Sequence, residues 1–111
     1  MKKVSLLFGV HMHQPVDNFG EAVQDAIEKC YRPFFETMQH YPAFKFSVHC
    51  SGWLLDTIRQ KEPKLFAIMQ DLTKSGSIEW IGAGYYEPVL SSIPSRDRVA
   101  QIKKLSNYIK K

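Results

Sequence analysis

The sequence of 111 residues has the length of one small domain, and its 44% of apolar side chains favours a packed core over a disordered chain. The net charge is +4, but no stripe of lysine and arginine alternates with aromatic residues, so nucleic acid is not an expected partner. No stretch approaches the ~20 consecutive apolar residues of a membrane helix, so a membrane is not expected either.

The first two predicted elements are a strand and a long helix. Residues 3–10 form a short apolar run with β-branched side chains, which is typical of a buried strand. A polar segment over residues 11–20 follows. From residue 20 to residue 40, apolar side chains recur at helical spacing. Pro33 is expected to kink or restart this helix, because proline has no amide hydrogen to donate.

The next predicted elements are a strand followed by two helices. Residues 44–50 alternate apolar and polar side chains, which is the period of a strand. Ser51 is predicted to cap a helix that begins near Trp53. Pro63 is predicted to open the second helix, and Gly76 to end it.

A third strand and a last helix complete the pattern. Residues 77–83 are predicted as the strand, and Ser95 is predicted to cap the helix, whose apolar positions are Val99, Ile102, Leu105 and Ile109. Alternating strands and helices indicate an α/β fold with parallel strands and right-handed crossovers. Because a complete barrel has about eight strands, three strands predict part of a larger fold.

The two cysteines indicate a reducing environment. Cys30 and Cys50 do not form a Cys-x-x-Cys pair, and both are interpreted as small buried hydrophobic residues. The apolar run after Lys3 is too short for a signal peptide and leads directly into a polar motif. We therefore expect a cytoplasmic protein.

Polar residues at the strand ends suggest a functional site. His11 follows directly on the first predicted strand and continues its polar face, and His49 and Glu79 lie on the polar faces of the second and third. Active sites of barrels are built at the carboxyl ends of the strands, where the loops add His13 and Glu87. Any one of these histidines alone would more often be a satisfied interior residue. Side chains at alternate positions of a strand point to the same side, and these residues all fall on the polar side of their strands. We therefore predict that His11, His13, His49 and Glu79 face one common cavity or sheet face.

The residues alone leave two other functions open. His11 and His13 stand two apart at a strand end, a spacing at which two imidazoles can share a metal ion, with His49 as a third ligand. This would favour a metal-dependent hydrolase, such as a deacetylase-like barrel. A small sugar-binding module is the other alternative, with Tyr85 and Tyr86 as aromatic platforms.

The segment His11-Met12-His13-Gln14-Pro15 after an apolar strand resembles the opening motif of glycoside hydrolase family 57. Residues 76–79 resemble the family's second motif. Further segments are similar to its 4-α-glucanotransferase branch: residues 18–20, 31–34, 49–52 and 86–90. Together these matches extend over nearly the whole sequence.

The resemblance implies an incomplete seven-stranded (β/α) barrel with parallel strands, in which residues 1–111 would form the first three β/α units as an N-terminal fragment. It implies a retaining α-glucan hydrolase or 4-α-glucanotransferase of carbohydrate metabolism, acting on an α-glucan or maltooligosaccharide without a metal or other cofactor. His11, His13 and Glu79 are implied to line the substrate-binding region. The nucleophile and the acid/base are expected beyond residue 111, so the chain alone is predicted to be inactive. No role follows for Glu87.

Overall fold

A computed structural model gives the fold of residues 1–110. This part of the chain contains one parallel sheet, whose strands lie in the order β1 (Gly9–Met12), β2 (Phe46–Cys50) and β3 (Ile78–Ile81). Its α-helices are α1 (Gly20–Ala26), α2 (Arg32–Met38), α3 (Gly52–Lys61), α4 (Pro63–Lys74) and α5 (Ser95–Ile109). A π-helical turn (Ile27–Tyr31) joins α1 to α2, and a 3₁₀ turn (Leu90–Ser92) precedes α5.

The pairing of the strands confirms the predicted α/β fold with a parallel sheet. His11 on β1 pairs with His49 on β2, and His49 pairs with Ile81 on β3. Two residues earlier along the strands, Ser47 pairs with Glu79. Because side chains alternate along a strand, these residues share one face of the sheet, opposite the core.

The other face of the sheet is buried under the helices. Phe46, Val48 and Cys50 of β2 are each at most 3% exposed. They belong to one apolar cluster with buried helical side chains, among them Leu54, Ile58, Leu65, Met69 and Leu105. Full burial of such a side chain stabilises a fold by about 1.5–3 kcal/mol, so this layer determines which face of the sheet stays open.

The predicted strand over residues 3–10 is wrong in its extent. The strand covers Gly9–Met12 only, and the apolar side chains before it are exposed, Leu7 to 97%. The neighbouring strand β2 begins at Phe46, so residues 3–7 have no strand of the described chain beside them. Apolar character alone therefore predicted a strand whose pairing partner is missing here.

The helix predicted over residues 20–40 is continuous but contains a π turn. In this turn the Arg32 amide donates to the carbonyl of Ile27, five residues back. Pro33 lies in the first turn of α2, where it has no amide hydrogen and would press on the carbonyl four residues earlier. One extra residue in the preceding turn relieves that pressure. The predicted disturbance at Pro33 is confirmed, and it takes the form of a π turn.

Gly76 ends α4 as predicted, because its backbone is left-handed with φ of +75°. Its amide donates to the carbonyl of Thr73 at 3.0 Å, and the Ser77 amide donates to Leu72 at 2.9 Å. This pair of hydrogen bonds is the Schellman arrangement, which satisfies the last carbonyls of a helix. The chain thereby turns directly into β3.

The two cysteines differ in their surroundings. Cys50 is buried on β2 as predicted, whereas Cys30 is exposed in the π turn, so its predicted burial is wrong. Both thiols are free. Among residues 1–110, no helix combines the length and the apolar character needed to cross a bilayer.

Only one of the two predicted serine caps is present. Ser51 is buried, and its Oγ accepts a hydrogen bond from the Leu54 amide at 3.1 Å. Ser95 is instead the first residue of α5, and Pro94, which has no side-chain acceptor, occupies the cap position. The predicted Ser95 cap is therefore wrong.

This difference gives a matched pair of substitutions. We expect Ser51→Ala to lower the free energy of unfolding by about 1 kcal/mol, because the Leu54 amide loses its partner in a buried position. Ser95→Ala should change it by less than about 0.5 kcal/mol. Urea denaturation followed by circular dichroism measures both. Equal effects of the two substitutions would contradict the assigned caps.

Candidate functional site

Three histidines and one carboxylate meet at the carboxyl end of the sheet. His11 lies on β1, His13 follows that strand by one residue, and His49 lies on β2. Glu87 comes from the loop after β3. We call these four residues the Glu87 cluster. Parallel strands present their carboxyl ends at the same edge, which explains how residues so far apart in sequence come together.

All three imidazoles contact the Glu87 carboxylate. His49 Nε2 lies 2.7 Å from Oε1, and His11 Nε2 lies 3.1 Å from the same oxygen. His13 Nδ1 lies 2.8 Å from Oε2. The rings also pack edge to face, with centroids 4.8 Å apart for His11 and His49 and 5.6 Å apart for His11 and His13. The cluster is therefore one continuous unit with Glu87 as its hub.

His49 is the least accessible of the three histidines. Its side chain is 14% exposed, against 59% for His11 and 57% for His13. Its Nδ1 lies 3.0 Å from the carbonyl oxygen of Ile81, which can only accept, so Nδ1 must donate. Its Nε2 faces the carboxylate of Glu87, which also only accepts when ionised. The two contacts together fix the orientation of the His49 ring.

The pKa of Glu87 results from opposing effects. Burial alone raises the pKa of this carboxyl group, because it disfavours the charged form. Hydrogen bonds from His13, His11 and His49 act in the other direction and outweigh burial, so the pKa lies below its ordinary value of 4.5. The cluster therefore favours an ionised carboxylate.

A left-handed backbone turn places the Glu87 side chain beside the histidines. Glu87 adopts a left-handed conformation with φ of 53°, which costs a residue with a side chain about 1–2 kcal/mol. Its amide donates to the carbonyl of Gly84 at 3.1 Å. A Cβ on Gly84 would lie 2.5 Å from the ring of Pro88, so only glycine fits there. The cluster and its surroundings offset this local strain.

Tyr85 anchors the same loop in the helical layer. It is buried, and its hydroxyl donates to Asp56 of α3. Its carbonyl accepts from the Gly52 amide at 2.8 Å, and a Cβ on Gly52 would overlap its ring. Lys104 of α5 places its Nζ 4.0 Å from the ring centroid. Tyr85 therefore acts as a packing residue, and the alternative of an open sugar platform is wrong for it.

Glu79 lies apart from the Glu87 cluster. It shares the open face of the sheet, as predicted, but it pairs with Ser47, two residues before the His49 row, a step of roughly 7 Å along the strand. It lines a separate groove with Gly9 and Ser47. Within residues 1–110, Glu79 has no hydrogen bond to a histidine of the cluster. The prediction that Glu79 shares a sheet face with the histidines is thus confirmed. The carboxylate at the centre of the histidines is that of Glu87, not that of Glu79.

Sequence reasoning named Glu87 without giving it a role. The available signal was its position in the loop after the third strand, at the edge where His11 and His49 also end. The left-handed turn that brings the carboxylate back over the sheet has no reliable signature in residues 84–88. Three groups of the cluster, His11, His13 and Glu87, also have donor atoms close enough to share a metal ion.

Glu87→Gln tests the electrostatic role of the hub. Because the folded-state pKa is depressed, the stabilisation is fully present above the ordinary pKa of 4.5 and is lost as the pH falls through the folded-state pKa. We expect Glu87→Gln to lower the free energy of unfolding by about 1 kcal/mol at neutral pH, and the difference from wild type to disappear in acid. Urea denaturation over a pH series measures this, with Glu79→Gln as the control. A difference that grows in acid would contradict it.

Comparison with known proteins agrees with the family resemblance of the sequence motifs at residues 11–15 and 76–79. The model of "Glycosyl hydrolase family 57" matches residues 7–111. A 4-α-glucanotransferase of Thermococcus kodakarensis is 47% identical over 108 residues, which are 97% of this chain and 16% of that protein. An α-amylase of Pyrococcus furiosus is 43% identical over 108 residues, again 97% of this chain and 17% of the relative.

A solved structure shows the same fold. The crystal structure of a 4-α-glucanotransferase from Thermococcus litoralis superposes with a TM-score of 0.91 at 42% identity, over 94% of this chain and 16% of that protein. The chain thus spans about a sixth of the length of the relatives it matches. The family model, the relatives and the superposition agree on one conclusion: the chain belongs to glycosyl hydrolase family 57.

Proposed function

We propose that this chain forms one wall of an α-glucan-binding site, in an enzyme that hydrolyses or transfers α-glucans with retention. The Glu87 cluster carries the proposal, because it places ordered imidazoles on the open face of a family 57 sheet. Relatives named 4-α-glucanotransferase and α-amylase support an α-glucan substrate. Family membership favours this function over a deacetylase-like hydrolase or a separate sugar-binding module.

The proposed setting is an incomplete seven-stranded barrel in which β1, β2 and β3 are the first strands. The open face supports it, because His11, His49 and Glu79 would then point into the barrel. The exposed apolar side chains of Val4, Leu6, Leu7 and Phe8 support it as well, since further chain beside them would bury them. In this setting the Glu87 cluster lies at the mouth of the barrel, where such enzymes bind their substrates.

The histidines are proposed to bind sugar hydroxyl groups. With an ionised Glu87, His11 donates through Nε2 and His13 through Nδ1. In neutral rings the opposite nitrogens, His11 Nδ1 and His13 Nε2, are then acceptors. Neither has a hydrogen bond within residues 1–110, and both side chains are more than half exposed. Glu87 would thus fix the tautomers so that acceptors face the substrate, and Glu79 would contact it further along the same face.

The nucleophile and the acid/base are proposed to lie outside these 111 residues. Retention requires two carboxyl groups about 5–5.5 Å apart, one of them free to attack. Glu87 is bound by three imidazoles, and Glu79 lies roughly 7 Å down the strand from the His49 row. The small share of the relatives' length that the chain spans supports the same proposal.

A cytoplasmic location is proposed on separate grounds. Cys30 is an exposed free thiol, and Cys50 is a buried one. Free thiols are typical of proteins kept in a reducing compartment.

Sugar release from maltooligosaccharides tests the proposed function. We expect no turnover above background from the 111-residue chain, because supporting groups cannot form a glycosyl intermediate. A chimera in which this chain replaces the matching segment of the Thermococcus litoralis 4-α-glucanotransferase should be active. His13→Ala in the chimera should lower kcat/KM by about 10-fold, because a sugar hydroxyl loses one hydrogen bond.

His40→Ala is the control, because this histidine is exposed in the turn after α2 and lies outside the Glu87 cluster. It should leave the activity of the chimera unchanged. Turnover by the short chain would contradict the absence of the catalytic carboxylates. Unchanged activity of the His13→Ala chimera would remove His13 from the substrate site.

A further inference from the structure

We propose that His11, His13 and Glu87 form a binding site for a divalent transition-metal ion with the ligand preference of Zn²⁺. The proposal uses part of the Glu87 cluster but requires no sugar turnover, so it stands independently of the proposed function. If that function is also correct, the ion would bind the Glu87-facing nitrogens of the same histidines, reverse the tautomers that the substrate requires, and act as an inhibitor.

The distances within the cluster are close to those of a metal site. The three donor atoms all lie within 4.8 Å of one another. The nitrogen–oxygen separations are 3.1 Å for His11 and 2.8 Å for His13. Two ligands about 2.1 Å from a tetrahedral ion lie about 3.4 Å apart. Each imidazole would therefore move about 0.3–0.6 Å from the carboxylate oxygen that it contacts, Oε1 for His11 and Oε2 for His13. The more widely spaced donors, at most 4.8 Å apart, would move towards one another.

The donor set selects the class of ion. Two neutral imidazoles and one carboxylate suit Zn²⁺, Co²⁺, Ni²⁺ or Fe²⁺, whereas Ca²⁺ and Mg²⁺ prefer oxygen ligands throughout. On binding, each neutral ring changes tautomer: the proton on His11 Nε2 moves through solvent to Nδ1, the proton on His13 Nδ1 moves to Nε2, and the freed nitrogens bind the ion. Three protein ligands leave a fourth position open to water or another ligand.

His49 supplies the outer support that such a site needs. Its Nε2 donates to Glu87 Oε1 at 2.7 Å, and its other nitrogen is held by the Ile81 carbonyl at 3.0 Å. Metal-binding carboxylates are commonly oriented by hydrogen bonds of this kind. The left-handed turn at Glu87 fixes the carboxylate from the backbone side as well. The carboxylate is therefore in place before an ion arrives.

The site is also accessible. His11 and His13 are more than half exposed, so an ion can reach both nitrogens from solvent without opening the core. Their exposure means that alanine at either position removes a ligand without leaving a buried cavity. Substitution there can therefore be interpreted as a change in binding.

Direct titration of the 111-residue chain tests the proposal. Zn²⁺ is added in competition with a chromophoric chelator, and Co²⁺ is added while its visible absorption is recorded. We expect one equivalent of each ion to bind, with Co²⁺ showing the intense bands of a four-coordinate N/O site. Excess Mg²⁺ should not displace it. His11→Ala, His13→Ala and Glu87→Gln should each weaken Zn²⁺ binding at least 10-fold, and His49→Ala about 10-fold to 100-fold.

His40→Ala and Glu36→Gln are the matched controls, because they alter an exposed histidine and an exposed carboxylate outside the cluster. They should change the affinity less than about twofold, and circular dichroism checks that every variant is folded. The proposal is overturned if Zn²⁺ shows no saturable binding. It is equally overturned if Mg²⁺ displaces Co²⁺, or if His40→Ala weakens binding as much as His13→Ala.

Discussion

The hydrogen bond between Glu87 and His49 is the contact on which the arrangement of the open face of the sheet depends. A carboxylate removed from water stays ionised only where donors replace its hydration. His49 provides such a donor from within the sheet, with its ring fixed by the Ile81 carbonyl. Once Glu87 is held in this way, its second oxygen is in position to order His13, and the first also contacts His11. The more exposed half of the cluster is thus arranged by the less exposed half.

This arrangement follows from parallel strands and from a loop with its own anchors. The register brings His11 and His49 side by side, but it cannot bring a carboxylate over them. That requires a loop that leaves β3 and folds back, which it does by burying Tyr85 in the helical layer and by a left-handed turn at Glu87. Sheet and loop contribute separate parts of the site, and the helices join the two.

The elements that sequence predicted well are those that depend on local periodicity and local caps. The parallel strand β2, the Ser51 cap and the end of α4 at Gly76 depend on neighbours a few residues away. The extent of β1 was predicted poorly, because the pairing of an edge strand depends on chain that lies far away in sequence. Ser95 is not the cap because α5 begins at Ser95 itself, one residue earlier than a Ser95 cap requires, and Pro94 occupies the cap position.

The sequence predicts which strand residues share the functional face, but it does not predict which carboxylate lies among the histidines. Alternation placed His11, His49 and Glu79 on one face, and the register agrees. Alternation gives no information about a loop, so it could not show that Glu87 turns back over the histidines. Alternation also could not show that Glu79 lies apart from the cluster, because residues on the same side of neighbouring strands can be level with one another or several residues apart along the strands.

The burial of Tyr85 couples the outer layer of the fold to the functional face. Its ring lies against Gly52 of α3 and beneath Lys104 of α5, while its backbone is two residues from Glu87. A larger side chain at Gly52 would displace the ring, and the displacement would pass along the loop to the carboxylate. A substitution in the helical layer can therefore change the position of the Glu87 carboxylate while every histidine of the cluster is retained.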